Sequence, residues 1–220
     1  MNFSGNTLTL AATDSFRLSE KSISITQKSG GIKDQRVIIP ARTLQELLRI
    51  LNNVKTPSDI ETTNQLEIYF SENQIVFILG NIEFTSRLIE GQYPDYKQII
   101  PSKFNTTFEV PIDELLQAVK SVSLFARSCV YDITFELSSE PPELIISSGS
   151  SMVGENKCKI LSKITGKNNK IVLNYRYMLD GLQSIESGDV ILQIIDESSP
   201  CVIQPKNSNG HLYIIMPIKQ

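Results

Sequence analysis

A strand that runs directly into a helix, with three further strands behind it, occurs three times in this chain of 220 residues. The helix starts fall at Pro40, Pro111 and Asn174, spaced 71 and 63 residues apart. In the first helix Leu44, Leu47, Leu48 and Leu51 recur at i, i+3, i+4 and i+7, one apolar face behind a proline start. The second places Ile112, Leu115, Leu116, Val119 and Val122 on one face, with Asp113 and Glu114 suited to the positive end of its dipole. The third carries Tyr175, Met178, Leu179, Leu182 and Ile185 behind Asn174, a good N-cap. Leading strands are expected at 36–39, 108–110 and 170–173. The strand triplets are expected at 65–71, 74–79 and 82–88, then 132–137, 143–148 and about 157–164, then 190–195, 201–204 and 212–217. Asn73 and Gly80-Asn81 supply tight turns, so the first triplet reads as an antiparallel meander.

Self-similarity at such a period is an architectural statement. A unit of this kind cannot cover its own apolar helix face, so units must pair. The second and third can pair with each other, whereas the first has only the strands before it. Those are read at 1–3 and 7–12, joined by a Ser-Gly-Asn turn, with polar–apolar alternation at 22–25 and a loop at 28–33 around Gly30-Gly31. The class is α+β, with antiparallel sheets and paired helices.

Between the first and second units lies the connector 84–101, FTSRLIEGQYPDYKQIIP. Gly91 and Pro94 break regular structure, and Pro101 ends any element that reaches Ile100. Tyr93, Tyr96, Ile99 and Ile100 are too apolar for a solvated linker, so this segment is expected to pack down.

Charge and cysteines narrow the function. The chain has 21 basic and 24 acidic side chains; dividing at Pro101 leaves 10 basic and 11 acidic before it, and 11 and 13 after. Neither half is a basic module that grips nucleic acid through many phosphates. Such a balance still permits a protein that loosely surrounds DNA with one positive face. Cys129, Cys158 and Cys201 are odd in number and widely spaced, which fits a reducing cytoplasm and shows no metal-ligand pattern. The N-terminus lacks signal-peptide character, and no stretch of roughly 18 apolar residues is present.

Catalytic constellations are not visible. His211, the only histidine, stands beside Asn209-Gly210 and reads as a surface residue in a turn. Thr13, Asp14, Ser15 and Arg17 form a polar cluster without a paired base. Gly30-Gly31 lacks the lysine and helix of a phosphate loop. Asp14 can instead bond its own backbone, turning the chain so that Thr13, Ser15, Phe16 and Arg17 face outward at a strand end. The chain is therefore not expected to be an enzyme, and no cofactor is implied.

Four stretches, in order and register, carry a family resemblance: LAATDSFRL at 10–18, VIIPARTLQELLRIL at 37–51, SRLIEGQYPDYKQIIP at 86–101 and YIIMPIK at 213–219. Together they closely resemble the beta sliding clamps of bacterial DNA polymerase III. The resemblance implies the DNA-clamp fold, with residues 1–101 as a middle domain lacking its first strand and helix and 102–220 as a complete C-terminal domain. It implies a processivity factor that tethers the replicative polymerase to double-stranded DNA and binds short linear peptides of polymerase, clamp loader and repair proteins. The alternative is a truncated clamp-like scaffold that binds peptides without tethering to DNA.

Carried over from the family, the peptide cleft comprises Thr13, Ser15, Phe16, Arg17, Leu18, Pro94, Gln98, Ile99, Val130, Pro200, Ile214, Ile215, Met216, Pro217 and Ile218. Phe16 stands where the family commonly has histidine and Gln98 where it often has arginine, so this cleft is less polar. The implied DNA-facing residues are Arg42, Arg49, Lys120, Arg127 and Arg176. Leu124 and Phe125 match one side of the family's head-to-tail dimer contact; this chain alone is expected to be a monomer.

Overall fold

No loop separates the second and third helices from the strands before them, and this continuity sets the sheet topology. The computed structural model describes residues 1–26, 34–53, 65–127, 129–150, 154–186, 188–208 and 210–219. The loop read at 28–33 lies outside them. In chain order the elements are β1 (Asn2–Ser4), β2 (Thr7–Thr13), β3 (Arg17–Ser24), β4 (Gln35–Arg36), α1 (Ala41–Asn53), β5 (Glu67–Phe70), β6 (Gln74–Leu79) and β7 (Ile82–Arg87). A 3-10 turn (Tyr96–Ile99) precedes β8 (Thr106–Pro111), α2 (Ile112–Ser123), β9 (Asp132–Ser139), β10 (Pro142–Ser150), β11 (Gly154–Leu161) and β12 (Lys163–Gly166). The chain closes with β13 (Asn169–Asn174), α3 (Tyr175–Gln183), β14 (Asp189–Ile194), β15 (Cys201–Pro205) and β16 (His211–Ile215). The residues fall into two compact units, Met1–Leu8 with Ser24–Asp95, and Thr9–Ile23 with Tyr96–Gln220.

In the first unit β5, β6 and β7 form the antiparallel meander that the turn residues predict, with Phe77 opposite Phe84. Its core gathers Leu47, Ile75 and Phe77, with Met1, Ile39, Leu44 and Phe84 against them. The helix is rotated from the predicted face. Thr43 is buried, its hydroxyl 2.8 Å from that of Ser86 on β7, while Leu48 is 58% exposed and Leu51 also faces solvent. A buried hydroxyl pair fixes the rotation because an unmatched Thr43 would be costly. The leading strand is also shorter than 36–39. Beyond Arg36, Val37 exchanges hydrogen bonds with Met1, and Ile38 makes an isolated antiparallel bridge to Ile89.

In the second unit the two repeats exchange their leading strands. β13, which leads the third repeat, pairs with β9 of the second, and β8, which leads the second, pairs with β14 of the third. The result is a four-stranded sheet β11-β10-β9-β13 and a larger one in the order β12-β8-β14-β15-β16-β3, continued by β2. The strand expected around 157–164 is two strands, one in each sheet. Ser162 is the switch between them. Helices α2 and α3 pack on each other, as paired units require. One continuous core joins Leu115, Val119 and Val122 of α2, Met178 and Leu182 of α3, and Phe108, Phe135, Leu192 and Ile203 of the two sheets.

Gly181 lies inside α3, where glycine costs about 1 kcal/mol relative to alanine. Space explains it: a Cβ there would come within 2.3 Å of the Tyr213 ring. The ring on β16 occupies the space a side chain at 181 would need. Gly181→Ala is therefore expected to destabilise the chain by about 1–3 kcal/mol despite its better helix propensity, read as a lower urea midpoint.

Candidate functional site

The turn before β3 is built by one carboxylate. Asp14 Oδ1 accepts from the backbone N–H groups of Phe16 (3.1 Å) and Arg17 (3.0 Å), while Thr13 Oγ1 donates to the Arg17 carbonyl at 2.8 Å. The expected side-chain turn is thus formed, and it forces Ser15 to φ +76°, a left-handed conformation that costs a non-glycine residue about 1–2 kcal/mol. The turn puts Phe16 outside, 59% exposed.

Arg17 is the electrostatic centre. Its guanidinium binds Asp14 Oδ2 through Nε at 3.0 Å and Asp180 Oδ2 on α3 through Nη1 at 2.5 Å, and reaches the Tyr213 hydroxyl at 3.4 Å. It also lies 4.5 Å above the Tyr177 ring, and the Tyr213 hydroxyl donates to the Tyr177 carbonyl at 3.0 Å. Partial burial works against the Arg17 charge, but the bonds to Asp180, Tyr213 and Asp14 outweigh it and hold the group above its ordinary range. Burial likewise works against the Asp14 carboxylate. The Arg17 guanidinium and the Phe16 and Arg17 backbone amides overcome it and keep Asp14 below its usual range. Phe16 stacks against Tyr177 as well, its ring centroid 6.4 Å away at an interplanar angle of 27°.

Register then sets a row of residues at the end of the larger sheet. Ile215 is opposite both Arg17 and Cys201, so Met216 comes opposite Phe16 on one side and Pro200 on the other. The Met216 N–H donates to the Phe16 carbonyl at 2.8 Å. Met216 is 38% exposed, and Pro200 and Pro217 are half-buried. Beneath the row, Leu18, Val202 and Ile214 form a small buried cluster on which Tyr96 and Ile100 pack, and the Tyr96 hydroxyl donates to Glu20. The 3-10 turn is thereby held against β3 and β16, with Gln98 and Ile99 exposed on it. Of the connector's four large apolar groups, Tyr96 and Ile100 pack down, while Tyr93 and Ile99 remain outside.

The cleft positions implied by the resemblance thus separate by role. Phe16, Met216, Pro200 and Ile99 offer surface; Leu18 and Ile214 are fully buried and form the floor, while Ile215 points to the opposite face, into the main core. Thr13 and Ser15 build the turn. Ile218 donates its N–H to the Val172 carbonyl at 2.8 Å, which carries the terminal segment toward β13. Val130 is half-buried near the start of α3, where the Tyr175 N–H bonds the Tyr131 carbonyl at 2.8 Å. Pro94 is exposed and belongs to the first unit. Tyr177 and Asp180 are absent from the sequence reading. Asp180 lies on the exposed side of α3 and Tyr177 at the edge of its apolar stripe, half-buried against the core.

The five basic residues read as DNA-facing are exposed. Arg49 pairs with Glu46 at 3.0 Å and Arg127 with Asp132 at 3.0 Å, and Arg176 stacks 3.7 Å from the Tyr131 ring centroid. Leu124, at the C-terminal end of α2, is 75% exposed, and Phe125 is half-buried. Among the described residues no cluster of ligating side chains could hold a metal ion.

Two exchanged repeats with a helix pair, and an apolar row at the sheet end, define a DNA-clamp type of α+β domain. Residues 1–95 match the central domain of the DNA polymerase III beta subunit and residues 97–219 its C-terminal domain, so the chain belongs to that family. It is 30% identical over 215 residues to the beta sliding clamp of Staphylococcus epidermidis, covering 97% of this chain and 54% of that protein. The crystal structure of the DNA polymerase sliding clamp from Bacillus subtilis is similar with a TM-score of 0.88 at 26% identity, over 100% of this chain and 55% of that one. The beta subunit from Thermotoga maritima gives 0.87 at 25% identity, covering 100% of this chain and 56% of that one. The chain spans about half the length of the relatives it matches.

His211 corrects the sequence reading: it is the first residue of β16 and only 6% exposed. Its Nε2 lies 3.5 Å from the hydroxyls of both Ser19 and Ser184, which tie β3 and α3 to β16. Burial, aided by Lys21, pushes its pKa down. A folded pKa below the unfolded value of about 6.5 means that protonation favours the unfolded chain. Its contribution is present above about pH 6.5 and is lost as pH falls below it. Urea midpoints measured from pH 7.5 to 5.5 are expected to fall more steeply for the parent than for His211→Gln, by at most about 1.4 kcal/mol per pH unit.

Proposed function

We propose that the chain is the peptide-binding portion of a DNA sliding clamp, a processivity factor that joins the replicative polymerase, clamp loader and repair proteins to duplex DNA in the bacterial cytoplasm. The observation that carries this reading is the row of exposed Phe16 and Met216 with half-buried Pro200, the turn bearing Ile99 docked on the same strands. Exposed apolar groups clustered at a strand end and backed by a packed floor mark an interaction surface. An extended peptide with one hydrogen-bonding residue and two apolar anchors fits it. The domain division that goes with this role assigns residues 1–101 to part of the middle domain and 102–220 to the C-terminal domain. The matched relatives are named beta sliding clamps.

Each fully buried anchor contributes about 1.5–3 kcal/mol before ordering costs, so two anchors and a few hydrogen bonds imply micromolar binding, about −8 kcal/mol. Calorimetry with an acetylated peptide carrying one glutamine and two leucine anchors is expected to give that affinity for the parent. Met216→Asp places a charge in the apolar row, and binding is expected to vanish while circular dichroism is unchanged. Equal binding by both chains would move the site elsewhere; silence from the parent up to high micromolar peptide would remove the reading.

The DNA contribution of this chain is small by the same reasoning. Arg49 and Arg127 already pair with carboxylates, and acids outnumber bases. Contacts from Arg42, Lys120 and Arg176 would go to phosphates without sequence preference. Fluorescence anisotropy with a short duplex is expected to give a Kd of roughly 10⁻⁴ M or weaker at physiological salt. A sub-micromolar, salt-insensitive Kd would contradict it.

A further inference from the structure

Within the hydrogen-bonded cluster beside Phe16 the charge does not cancel. Arg17 supplies one positive charge; Asp14 and Asp180 supply two negative ones, and all three lie within one hydrogen-bonded cluster. The guanidinium is the more enclosed, its side chain 29% exposed against 46% for Asp14 and 58% for Asp180. Both carboxylates thus keep surface toward water after their bonds to Arg17 are made. Tyr177 has Arg17 over its ring, and Phe16, stacked beside it, is 59% exposed. An exposed aromatic face rimmed by surplus carboxylate oxygen is a receptor for a cation. The ring quadrupole attracts a positive group at its face, and the rim adds Coulombic attraction.

From this we propose that the Phe16–Asp180 corner selects peptides carrying lysine or arginine one or two residues from an apolar anchor, and disfavours those with an acid there. The proposal rests on the peptide-binding reading above and specifies its partner. The spacing is a matter of backbone geometry. The Met216 N–H bonds the Phe16 carbonyl, so the two residues sit on adjacent strand positions roughly 5 Å apart. An extended peptide advances about 3.3 Å per residue. An anchor seated at Met216 therefore places the side chain one or two positions away over Phe16. Phe16 gives the corner a permanent π face without a titrating charge.

Three acetylated peptides test it, identical apart from lysine, alanine or glutamate flanking the second leucine anchor. Calorimetry on the full chain at about 50 mM salt should rank them lysine, alanine, glutamate. The lysine-to-glutamate affinity ratio is expected to be roughly five to thirty. It should shrink towards one at about 500 mM salt, where the Debye length is only about 4 Å. In Asp180→Asn and in Phe16→Leu the same ratio should fall several-fold; because it is taken within each variant, a general loss of affinity cancels. Phe16→Leu keeps an apolar wall and removes only the aromatic face. If all three peptides bind the parent equally, or glutamate leads, the corner selects no cation and the proposal falls while the cleft stands. If none binds, the cleft reading falls and takes the proposal with it.

Discussion

Everything in the second unit depends on the exchange of leading strands between its two repeats. β8 lies against β14, with Val110 opposite Val190 across 80 residues of chain, and β13 lies against β9. Neither repeat owns a complete sheet, so neither can cover its helix alone. The two helices and two sheets condense into one core because no smaller assembly is closed. Pairings at such separation carry a large loop-closure cost before they return any stability, so this half of the chain is expected to fold as a single cooperative element and slowly for its size.

The site inherits its precision from that exchange. Asn174 ends β13 and caps α3 by accepting the Arg176 N–H at 2.9 Å, so the helix start is set by the strand that the other repeat has captured. α3 then presents Tyr177 and Asp180 to Arg17, and Gly181 to the Tyr213 ring. On the sheet side, the pairing of β15, β16 and β3 fixes Pro200, Met216 and Phe16 in one row. A slip of one residue between β16 and β3 would exchange the two faces, sending Ile214 and Met216 to the side that Tyr213 and Ile215 now occupy. The proposed cleft is therefore positioned by two rigid elements that meet at Arg17.

Much of this was legible in the chain. The three helices announce themselves through apolar periodicity, and the turns of the first meander through Asn73 and Gly80-Asn81. The illegible remainder has one physical cause: it depends on partners distant in sequence. Leu48 satisfies the helical period as well as Leu47, but the hydroxyl pair of Thr43 and Ser86 decides the rotation. Gly210 suggests a surface turn for His211, but Lys21 pairs with it and buries it in a strand. The run 157–164 looks like one strand, and only the sheets show that it serves two. Tyr177 and Asp180 were missed for a related reason. A reading by apolar period selects the buried stripe of a helix and passes over residues at its edge and beyond, such as Tyr177 and Asp180.

The turn at 13–17 shows what stability is given up there. Ser15 holds a left-handed backbone, and Phe16 leaves a large apolar surface in water. Such a conformation persists only where its surroundings over-determine it. Here Asp14 accepts two backbone N–H groups, Thr13 bonds the Arg17 carbonyl, and Arg17 is clamped to α3. A flexible turn would expose Phe16 equally well, but ordering it on binding would subtract from affinity. In the proposed role the strain is met once, during folding, so that a short peptide encounters a surface already in place. That accounts for so many polar groups arranged around one outward phenylalanine.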